Sequence, residues 1–332
     1  MHGQFVWYEL TTPDVDAARR FYPSFTGWGT QQFDEDYTMW TTGGTPFAGI
    51  FKLGPEQRQR GIPPNWMPYV EVNNVDETAR LATSLGGKIM HGPQDIPGTG
   101  RFAVVQDPQS AVFGIYKSSR PSQSWDGTPV IGRFSWHELM TTDYMKAFEF
   151  YRKLFGWEKT GEMDMGGGNN YFMYGRGTKM YGGMFNRMPD MAGMHPFWMV
   201  YIHVPDVRKA VDIATKNGAQ LHRGPMEIPG GSIAILGDPQ GAGFALHDMK
   251  QSAGAGAGTS GAKKAASRSP AKSAAKKSVA KKSAAKKAAG KRSTAKTSKS
   301  PKRAGAKKSA AKKRPAVRKA SRGKRPTKRR GR

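Results

Sequence analysis

In the N-terminal segment, the spacing of apolar residues changes from that of a strand to that of a helix. Residues Phe5 to Thr11 form an apolar, strand-like run, and Asp14 follows as a candidate helix N-cap. Three short strand-like runs come next, separated by turns rich in Gly, Pro and Asp. Between the first run and these three, apolar side chains recur at three- and four-residue spacing, as on the buried face of a helix: Ala17, Ala18, Phe21, Tyr22 and Phe25. The pattern predicts a strand, a helix and three strands, with the helix aromatics packed against a sheet.

The same pattern recurs along the chain. "FVWYELTTPDVDAARRFYPSFTGW" (5–28) aligns with "FSWHELMTTDYMKAFEFYRKLFGW" (134–157), and the alignment extends to "DPQSAVFGIY" against "DPQGAGFALH". This tandem duplication has a weaker echo inside each half, where "YELTTPDVDAAR" resembles "YVEVNNVDETAR". We therefore predict an α+β fold of four βαβββ modules. They form two domains, 1–120 and 133–250, joined by a linker at 121–132.

Charge divides the chain in a different place. From Gln251 to the end, the 332-residue sequence has 30 Lys and Arg residues and no Asp or Glu. Residues 1–250 hold the other 23 basic residues and all 25 acidic residues, so this body is close to neutral. Only the C-terminal part has the charge of a polyanion binder.

Other features of composition exclude several classes of protein. The chain has no cysteine, which excludes disulfides, thiolate metal sites and a cysteine nucleophile. Its N-terminus lacks the basic and apolar run of a secretion signal, and no apolar stretch is long enough to span a membrane. We therefore expect a soluble intracellular protein without membrane partners.

The repeated motifs are specific enough to indicate a family. Tandem βαβββ units that open with "EL-x-T-x-D" and "FY-x-x-x-x-GW" and close with "DPQ" resemble the vicinal oxygen chelate superfamily, which includes glyoxalases, extradiol dioxygenases and bleomycin-resistance proteins. The resemblance covers nearly all of residues 1–250 and is strongest to two-domain glyoxalase-like proteins. It implies the fold more directly than any reaction.

The resemblance also implies where a metal would bind. Metal-dependent members carry a His seven residues before the helix-starting Asp, a second His on the fifth strand and a Glu on the eighth. These positions hold residues without a suitable donor atom in both domains, so we expect no metal and no cofactor: Trp7, Met67 and Gly114 in the first, and Trp136, Met199 and Ala245 in the second.

His137 and Glu138 stand together on the first strand of the second domain. Because side chains alternate along a strand, His137 is one residue out of register with the metal position. We predict that it packs or hydrogen-bonds behind the sheet. The remaining histidines outside the cavity show no ligand spacing, and we assign them no chemistry: His2, His91, His195, His222 and His247.

Strand parity predicts one cavity in each domain. The inward positions combine aromatic, thioether and carboxylate groups, which suit a flat apolar ligand: Trp7, Glu9, Met67, Tyr69 and Glu71 in the first domain, and Trp136, Glu138, Met199, Tyr201 and His203 in the second. An indole beside each of Glu9 and Glu138 would desolvate the carboxylate and raise its pKa. Each glutamate either serves as a general base or ties the sheet together by hydrogen bonds.

The second cavity is the better candidate for catalysis. Glu138 and His203 are hypothesised there as an acid and base pair, whereas the first domain has Glu71 in place of His203. If the protein is an enzyme, we expect a metal-free isomerase, lyase or hydrolase.

The C-terminal part has the composition of a nucleic-acid-binding tail. Residues 251–261 predict a flexible linker, and 262–332 predict a disordered Lys/Ala-rich segment that resembles the tails of linker histones and of lysine-rich bacterial histone-like proteins. It would bind DNA, or RNA, through phosphate contacts without sequence preference. A solubilising or membrane-surface polycation is the alternative. The candidate contacts are Lys263, Lys264, Lys276, Lys277, Lys281, Lys282, Lys286, Lys287, Lys302, Arg303, Lys312, Lys313, Arg314, Arg329 and Arg330.

Three functional hypotheses follow from these features. The first is a metal-independent protein that binds a small apolar or aromatic molecule and is held on DNA by its tail. The second is the metal-free enzyme. The third is a nucleoid structural protein whose body serves for assembly. All three are compatible with a homo-oligomer. The corresponding location is the cytoplasm at the nucleoid, or the nucleus in a eukaryote.

Overall fold

A computed structural model describes residues 1–120 and 127–249. Part of the predicted linker at 121–132, the predicted linker at 251–261 and the basic tail at 262–332 lie outside the described residues. The described part contains four βαβββ modules, two in each half of the body, so the predicted α+β fold is confirmed. Among the described residues no helix is long and apolar enough to cross a membrane.

The first domain contains modules 1 and 2. A short helix connects them, and the helical part of module 1 is split in two. Module 1 consists of β1 (Phe5–Thr12), α1 (Val15–Phe21), α2 (Pro23–Thr26), β2 (Gly29–Gln32), β3 (Tyr37–Thr42) and β4 (Thr45–Lys52), and α3 is Pro55–Gln59. Module 2 consists of β5 (Asn65–Glu71), α4 (Val75–Ser84), β6 (Lys88–Ile96), β7 (Gly100–Gln106) and β8 (Val112–Ser118).

The second domain repeats this order in modules 3 and 4. Module 3 consists of β9 (Phe134–Thr141), α5 (Tyr144–Phe155), β10 (Glu158–Asp164), β11 (Asn170–Arg176) and β12 (Lys179–Asn186), and a 3-10 turn (Pro189–Met191) follows it. Module 4 consists of β13 (Phe197–His203), α6 (Val207–Lys216), β14 (Gln220–Ile228), β15 (Gly231–Gly237) and β16 (Gly243–Met249).

Each module helix begins at a polar cap two or three residues after the end of the first strand. The predicted cap Asp14 accepts a hydrogen bond from the backbone nitrogen of Ala17 at 2.9 Å. Asn74, Asp143 and Asp206 cap the other three helices in the same way. The side-chain oxygen satisfies a backbone N–H that has no partner within the helix, so each strand-to-helix junction is encoded locally.

Each domain forms one eight-stranded sheet. The orders are β2-β3-β4-β1-β5-β8-β7-β6 and β10-β11-β12-β9-β13-β16-β15-β14. The first strands of the two modules, β1 and β5 or β9 and β13, pair antiparallel at the centre. This pairing places Trp7 opposite Tyr69 and Trp136 opposite Tyr201.

The two sheets share their hydrophobic cores. One core joins modules 1 and 4, including Tyr22 and Phe244, and the other joins modules 2 and 3, including Phe113 and Tyr151. The helix aromatics predicted to be buried therefore pack across the domain boundary as well as on their own sheet. As a result, the sheet faces that carry Trp7 and Trp136 lie on the side away from these shared cores.

The repeated motifs form reciprocal contacts between the domains. The Tyr22 hydroxyl donates to Oδ2 of Asp238 at 3.0 Å, and the Tyr151 hydroxyl donates to Oδ2 of Asp107 at 2.9 Å. Each Asp also accepts backbone hydrogen bonds within its own "DPQ" turn. The "FY" motif of one domain is thereby joined to the "DPQ" motif of the other.

Candidate functional site

The candidate site of the first domain is a hydrogen-bonded chain of four side chains. Trp7 Nε1 donates to the Tyr37 hydroxyl at 2.9 Å, and this hydroxyl donates to Oε1 of Glu9 at 2.9 Å. The Tyr69 hydroxyl donates to Oε2 of the same carboxylate at 2.5 Å. Glu9 is partly buried, and both of its oxygens are engaged. Met67 lies opposite Glu9 in the strand register.

The second domain builds the same chain from equivalent elements. Trp136 Nε1 donates to the Tyr171 hydroxyl at 2.7 Å, and Tyr171 donates to Oε2 of Glu138 at 2.8 Å. Tyr201 forms a further side-chain hydrogen bond with Glu138. Met199 lies opposite Glu138 and packs in a small apolar cluster with Tyr201. The duplication has therefore preserved a complete polar network as well as the fold.

Sequence analysis missed Tyr37 and Tyr171. They lie on β3 and β11, and strand pairing brings them over glycines in the neighbouring strands. A Cβ built on Gly49 would lie 1.9 Å from the Tyr37 hydroxyl, and one built on Gly183 would lie 2.2 Å from Cζ of Tyr171. Glycines inside the aligned segments "PFAGIF" and "MYGGMF" were the available signal, because glycine within a strand often marks such a close approach.

Burial dominates the electrostatics of both carboxylates. Desolvation raises the pKa of Glu9, and the hydrogen bonds from Tyr69 and Tyr37 act in the opposite direction. The pKa of Glu138 is raised for the same reason and is lowered in part by Tyr171, Tyr201 and the charge of Arg223. Each glutamate is thus a proton acceptor of increased basicity, held in place by two phenolic donors.

The sets predicted to line cavities pack more closely than expected. A Cβ built on Gly114 would lie 2.0 Å from Cδ1 of Tyr69, so the tyrosine ring occupies the space beside this glycine. Trp7 and Trp136 remain partly exposed. Each candidate site therefore combines a partly exposed indole with tyrosine rings that pack closely on the neighbouring strands.

The predicted pair of Glu138 and His203 does not form. In the register of β9 and β13 Glu138 lies opposite Met199, and His203 lies four residues further along, about 13 Å at the usual rise of a strand. His203 instead hydrogen-bonds the backbone of Val130, and its ring lies 5.6 Å from that of His247. Glu71 likewise lies four residues beyond Met67, the residue opposite Glu9, and its carboxylate pairs with Lys117 at 3.3 Å.

His137 lies behind the sheet, as strand parity predicted. Its Nδ1 lies 2.8 Å from the Tyr181 carbonyl oxygen and its Nε2 lies 2.6 Å from the Tyr8 hydroxyl. Its ring stacks on Phe5 with 3.7 Å between centroids. Burial lowers the pKa of His137 to about 3, so the ring is neutral at ordinary pH. The predicted nucleic-acid contacts, Lys263 to Arg330, all lie outside the described residues.

Comparison with known proteins agrees with this architecture. The sequence model of the Glyoxalase/Bleomycin resistance protein/Dioxygenase superfamily matches residues 4–113 and 133–246. The chain belongs to this superfamily. Its two matches coincide with the two eight-stranded sheets, so the resemblance found in the motifs is confirmed.

Two proteins are similar in sequence to most of the body. "Putative glyoxylase CFP32" of Mycobacterium tuberculosis (strain CDC 1551 / Oshkosh) is 32% identical over 72% of this chain and 92% of that protein. "Anthracycline biosynthesis protein DauV" of Streptomyces sp. (strain C5) is 28% identical over 77% of this chain and 96% of that protein.

Solved structures share the fold at low identity. The Mn(II)-bound glyoxalase from Novosphingobium aromaticivorans aligns with a TM-score of 0.52 and 13% identity, covering 74% of this chain and 82% of that chain. The 2,3-dioxygenase LapB from Pseudomonas sp. KL28 aligns with a TM-score of 0.54 and 12% identity, covering 75% and 93%.

The side chains of this superfamily member do not fit a metal of the kind its metal-dependent relatives use. Trp7 offers no lone pair, a Met67 thioether is a poor ligand for such ions, and the Tyr69 ring fills the space beside Gly114. Within 1–120 and 127–249 no three His, Cys, Asp or Glu side chains are grouped closely enough to hold an ion.

Proposed function

We propose that the body binds a small, flat aromatic molecule on its Trp-Tyr-Glu faces without a metal, and that the basic tail holds the protein on DNA. The observation that carries the first part is the paired network, in which Trp7 and Trp136 take positions that would otherwise ligate a metal. Partly exposed indoles beside thioethers offer aromatic and dispersion contacts, and each tyrosine-held carboxylate can accept one proton from a ligand hydroxyl.

The relatives support an aromatic ligand class. DauV is named for anthracycline biosynthesis and aligns along 96% of its length. Anthracyclines contain a planar fused ring system. Such a flat molecule can stack on a partly exposed indole. A planar ligand would lie against Trp136 in the second domain or Trp7 in the first.

Fluorescence titration tests this binding. We expect 2-naphthol to quench intrinsic tryptophan emission of the full chain in a saturable manner. Trp7→Phe and Trp136→Phe each remove one network indole while keeping an apolar ring, so each should reduce the quenching from its own face. Trp28→Phe provides the matched control, since this indole is buried between the domains. Quenching that is unchanged in both network variants would contradict the proposed site.

A second candidate function is metal-free catalysis by Glu138. The observation in its favour is the raised pKa of this desolvated carboxylate, which makes Glu138 a stronger proton acceptor than an exposed glutamate. An isomerase, lyase or hydrolase would need such a base. Glu138→Gln should abolish turnover while binding of 2-naphthol stays measurable, and Glu9→Gln is the matched variant in the first domain. Equal activity of Glu138→Gln and the parent would exclude this role.

Binding of DNA by the tail rests on charge. Thirty basic residues without an acidic one would release condensed counterions from DNA, so affinity should fall steeply as salt rises. The test is a gel shift across a salt series with full-length protein and a chain ending at Lys250. Loss of binding in the shorter chain supports the proposal, whereas binding retained at the same salt would place the interface on the body.

A third candidate is a nucleoid structural protein whose body only assembles. Its support is the same tail, without a role for the aromatic faces. It predicts that Trp7→Ala and Trp136→Ala leave compaction of DNA unchanged while 2-naphthol fails to bind the parent protein. Saturable binding by the parent would favour the first proposal.

A further inference from the structure

Two histidines lie side by side at one end of the sheet of the second domain. His203 ends β13, His247 lies on β16, and the two residues are opposite each other in the parallel pairing of these strands. Their ring centroids are 5.6 Å apart, and the ring planes are inclined by 32°. Two imidazoles bound to one tetrahedral ion have centres about 5 Å apart, because each metal–nitrogen bond is about 2 Å long. The observed separation is close to this value.

His203 has an unused lone pair. The residue is 8% exposed, and its Nδ1 is buried without a hydrogen-bond partner among the described residues. The ring also hydrogen-bonds the backbone of Val130. Since Nδ1 has no partner, this bond is made by Nε2, which donates its hydrogen to the carbonyl oxygen. Nδ1 therefore carries a lone pair, and leaving a buried acceptor unpaired costs free energy unless a bound group satisfies it.

His247 has its other nitrogen free. Its Nδ1 lies 3.2 Å from Oγ of Ser135, and this hydroxyl donates to the Tyr201 carbonyl oxygen at 3.5 Å. Because the hydroxyl hydrogen is used there, Nδ1 of His247 donates and Nε2 keeps its lone pair. Nε2 makes no hydrogen bond within the described part of the chain. Burial lowers the pKa of both imidazoles, that of His247 to about 4, so both rings are neutral at ordinary pH, as ligation requires.

The first domain has its own cation at the equivalent place. Three aligned positions differ between the domains: Glu71, Tyr116 and Lys117 in the first, and His203, His247 and Asp248 in the second. Nζ of Lys117 lies 3.3 Å from Oε1 of Glu71, so an ammonium group balances this carboxylate. In the second domain an aspartate replaces the lysine, and its negative charge favours positive charge at both rings. The second domain has thus exchanged an internal cation for groups that attract an external one.

We propose that His203 and His247 bind a divalent transition-metal ion such as Zn²⁺, through Nδ1 of the first ring and Nε2 of the second. Neutral imidazole suits Zn²⁺, whereas Mg²⁺ and Ca²⁺ prefer oxygen ligands. The Val130 carbonyl oxygen and the Ser135 hydroxyl hold the two rings in the ligating tautomers, as outer partners do for metal-bound histidines. Two protein ligands leave the other positions of a tetrahedral ion open to water or a small anion.

This pair is distinct from the metal position of the superfamily. His203 lies four residues after Met199, about 13 Å along β13 at the usual rise of a strand, and His247 lies two residues after Ala245 on β16. The aromatic binding proposed for the face of Trp136 does not involve the two imidazoles. Either proposal can therefore fail without the other.

Competition with a chromophoric zinc chelator measures the affinity of the full-length protein for Zn²⁺ alone. We expect the parent to bind one ion per chain in a saturable manner. His203→Asn and His247→Gln should each remove this binding, since each leaves a single imidazole. Ser135→Ala, which releases the tautomer of His247, should weaken it about ten-fold. His222→Asn removes an exposed imidazole of the same domain and should leave it unchanged.

A role of the pair in folding alone would give a different result. Urea denaturation without zinc shows whether each variant is folded, and the partly buried His247 keeps the test decisive if His203→Asn does not fold. Saturating Zn²⁺ should raise the urea midpoint of the parent and of His222→Asn but not of His247→Gln, because an ion that binds the folded state stabilises it. A parent that takes up no Zn²⁺, or binding that persists in both variants of the pair, would overturn the proposal.

Discussion

The hydroxyl of Tyr8 lies 2.6 Å from Nε2 of His137, and these two residues occupy equivalent positions of the duplicated domains. A residue can contact its own repeat copy only near the axis that relates the copies, so this pair lies at the centre of the back-to-back packing. Nδ1 of His137 faces the Tyr181 carbonyl oxygen at 2.8 Å and must carry the proton. Nε2 therefore accepts the hydrogen bond that Tyr8 donates.

Removing the Tyr8 hydroxyl should destabilise the body. Tyr8→Phe leaves Nε2 of His137 buried without a donor, which costs about 1–3 kcal/mol of unfolding free energy. Urea denaturation of the chain ending at Lys250 measures this cost. The double variant Tyr8→Phe/His137→Phe removes both polar partners, and we expect it to lose less than the sum of the two single variants. Additive losses would show that the two groups are not coupled.

Acid should weaken the same contact. The folded pKa of His137 is lowered to about 3, below the value of about 6.5 for a free histidine, so the unfolded chain binds the proton more readily between these values. The contribution of His137 to the free energy of unfolding is complete above pH 6.5 and falls as the pH drops towards 3. We expect it to contribute a loss of about 2 kcal/mol between pH 7.5 and 5.

Urea denaturation at several pH values measures this loss by difference. The variant His137→Phe should show a pH slope that is shallower than the slope of the parent by this amount. Equal slopes for His137→Phe and the parent would contradict the assignment.

The reciprocal tyrosine contacts should contribute equally to both domains. Tyr22→Phe and Tyr151→Phe each remove a buried donor to a carboxylate, Asp238 or Asp107, and each should cost about 1–3 kcal/mol. Tyr144→Phe is the control, because its hydroxyl makes only an exposed 3.5 Å contact with Glu162 and should change stability by about 0.5 kcal/mol or less. Similar losses in all three variants would argue against a special role for the interdomain pairs.

The Tyr69 ring should resist any side chain at position 114. Gly114→Ala places a Cβ 2.0 Å from the ring, so the tyrosine must move and its hydrogen bond to Glu9 must lengthen. We expect a loss of about 1–3 kcal/mol in unfolding free energy. Gly193→Ala is matched to it, since no atom of the described residues, its two chain neighbours apart, lies within 4 Å of the added methyl. If both variants are equally stable, the ring is not confined as the structure indicates.

Much of the candidate site followed from strand parity. The alternation of side chains correctly placed Trp7, Glu9 and Tyr69 on one face and turned His137 towards the opposite one. Parity is a local property, because each strand fixes its own two faces. Tyr37 and Tyr171 escaped the same reasoning. They come from separate strands, and sequence spacing does not show which side chain will reach a given carboxylate.

The sequence by itself determined the four modules and the helix cap at Asp14, because periodicity, capping and repetition act within short segments. Only the tertiary structure decided that Glu138 meets Tyr171 and not His203, that Tyr22 reaches Asp238 of the other domain, and that His203 lies beside His247. Those contacts depend on the register between strands, on bulges that shift it and on the packing of one sheet against another. Each joins residues that are distant in the chain, and no local pattern records their pairing.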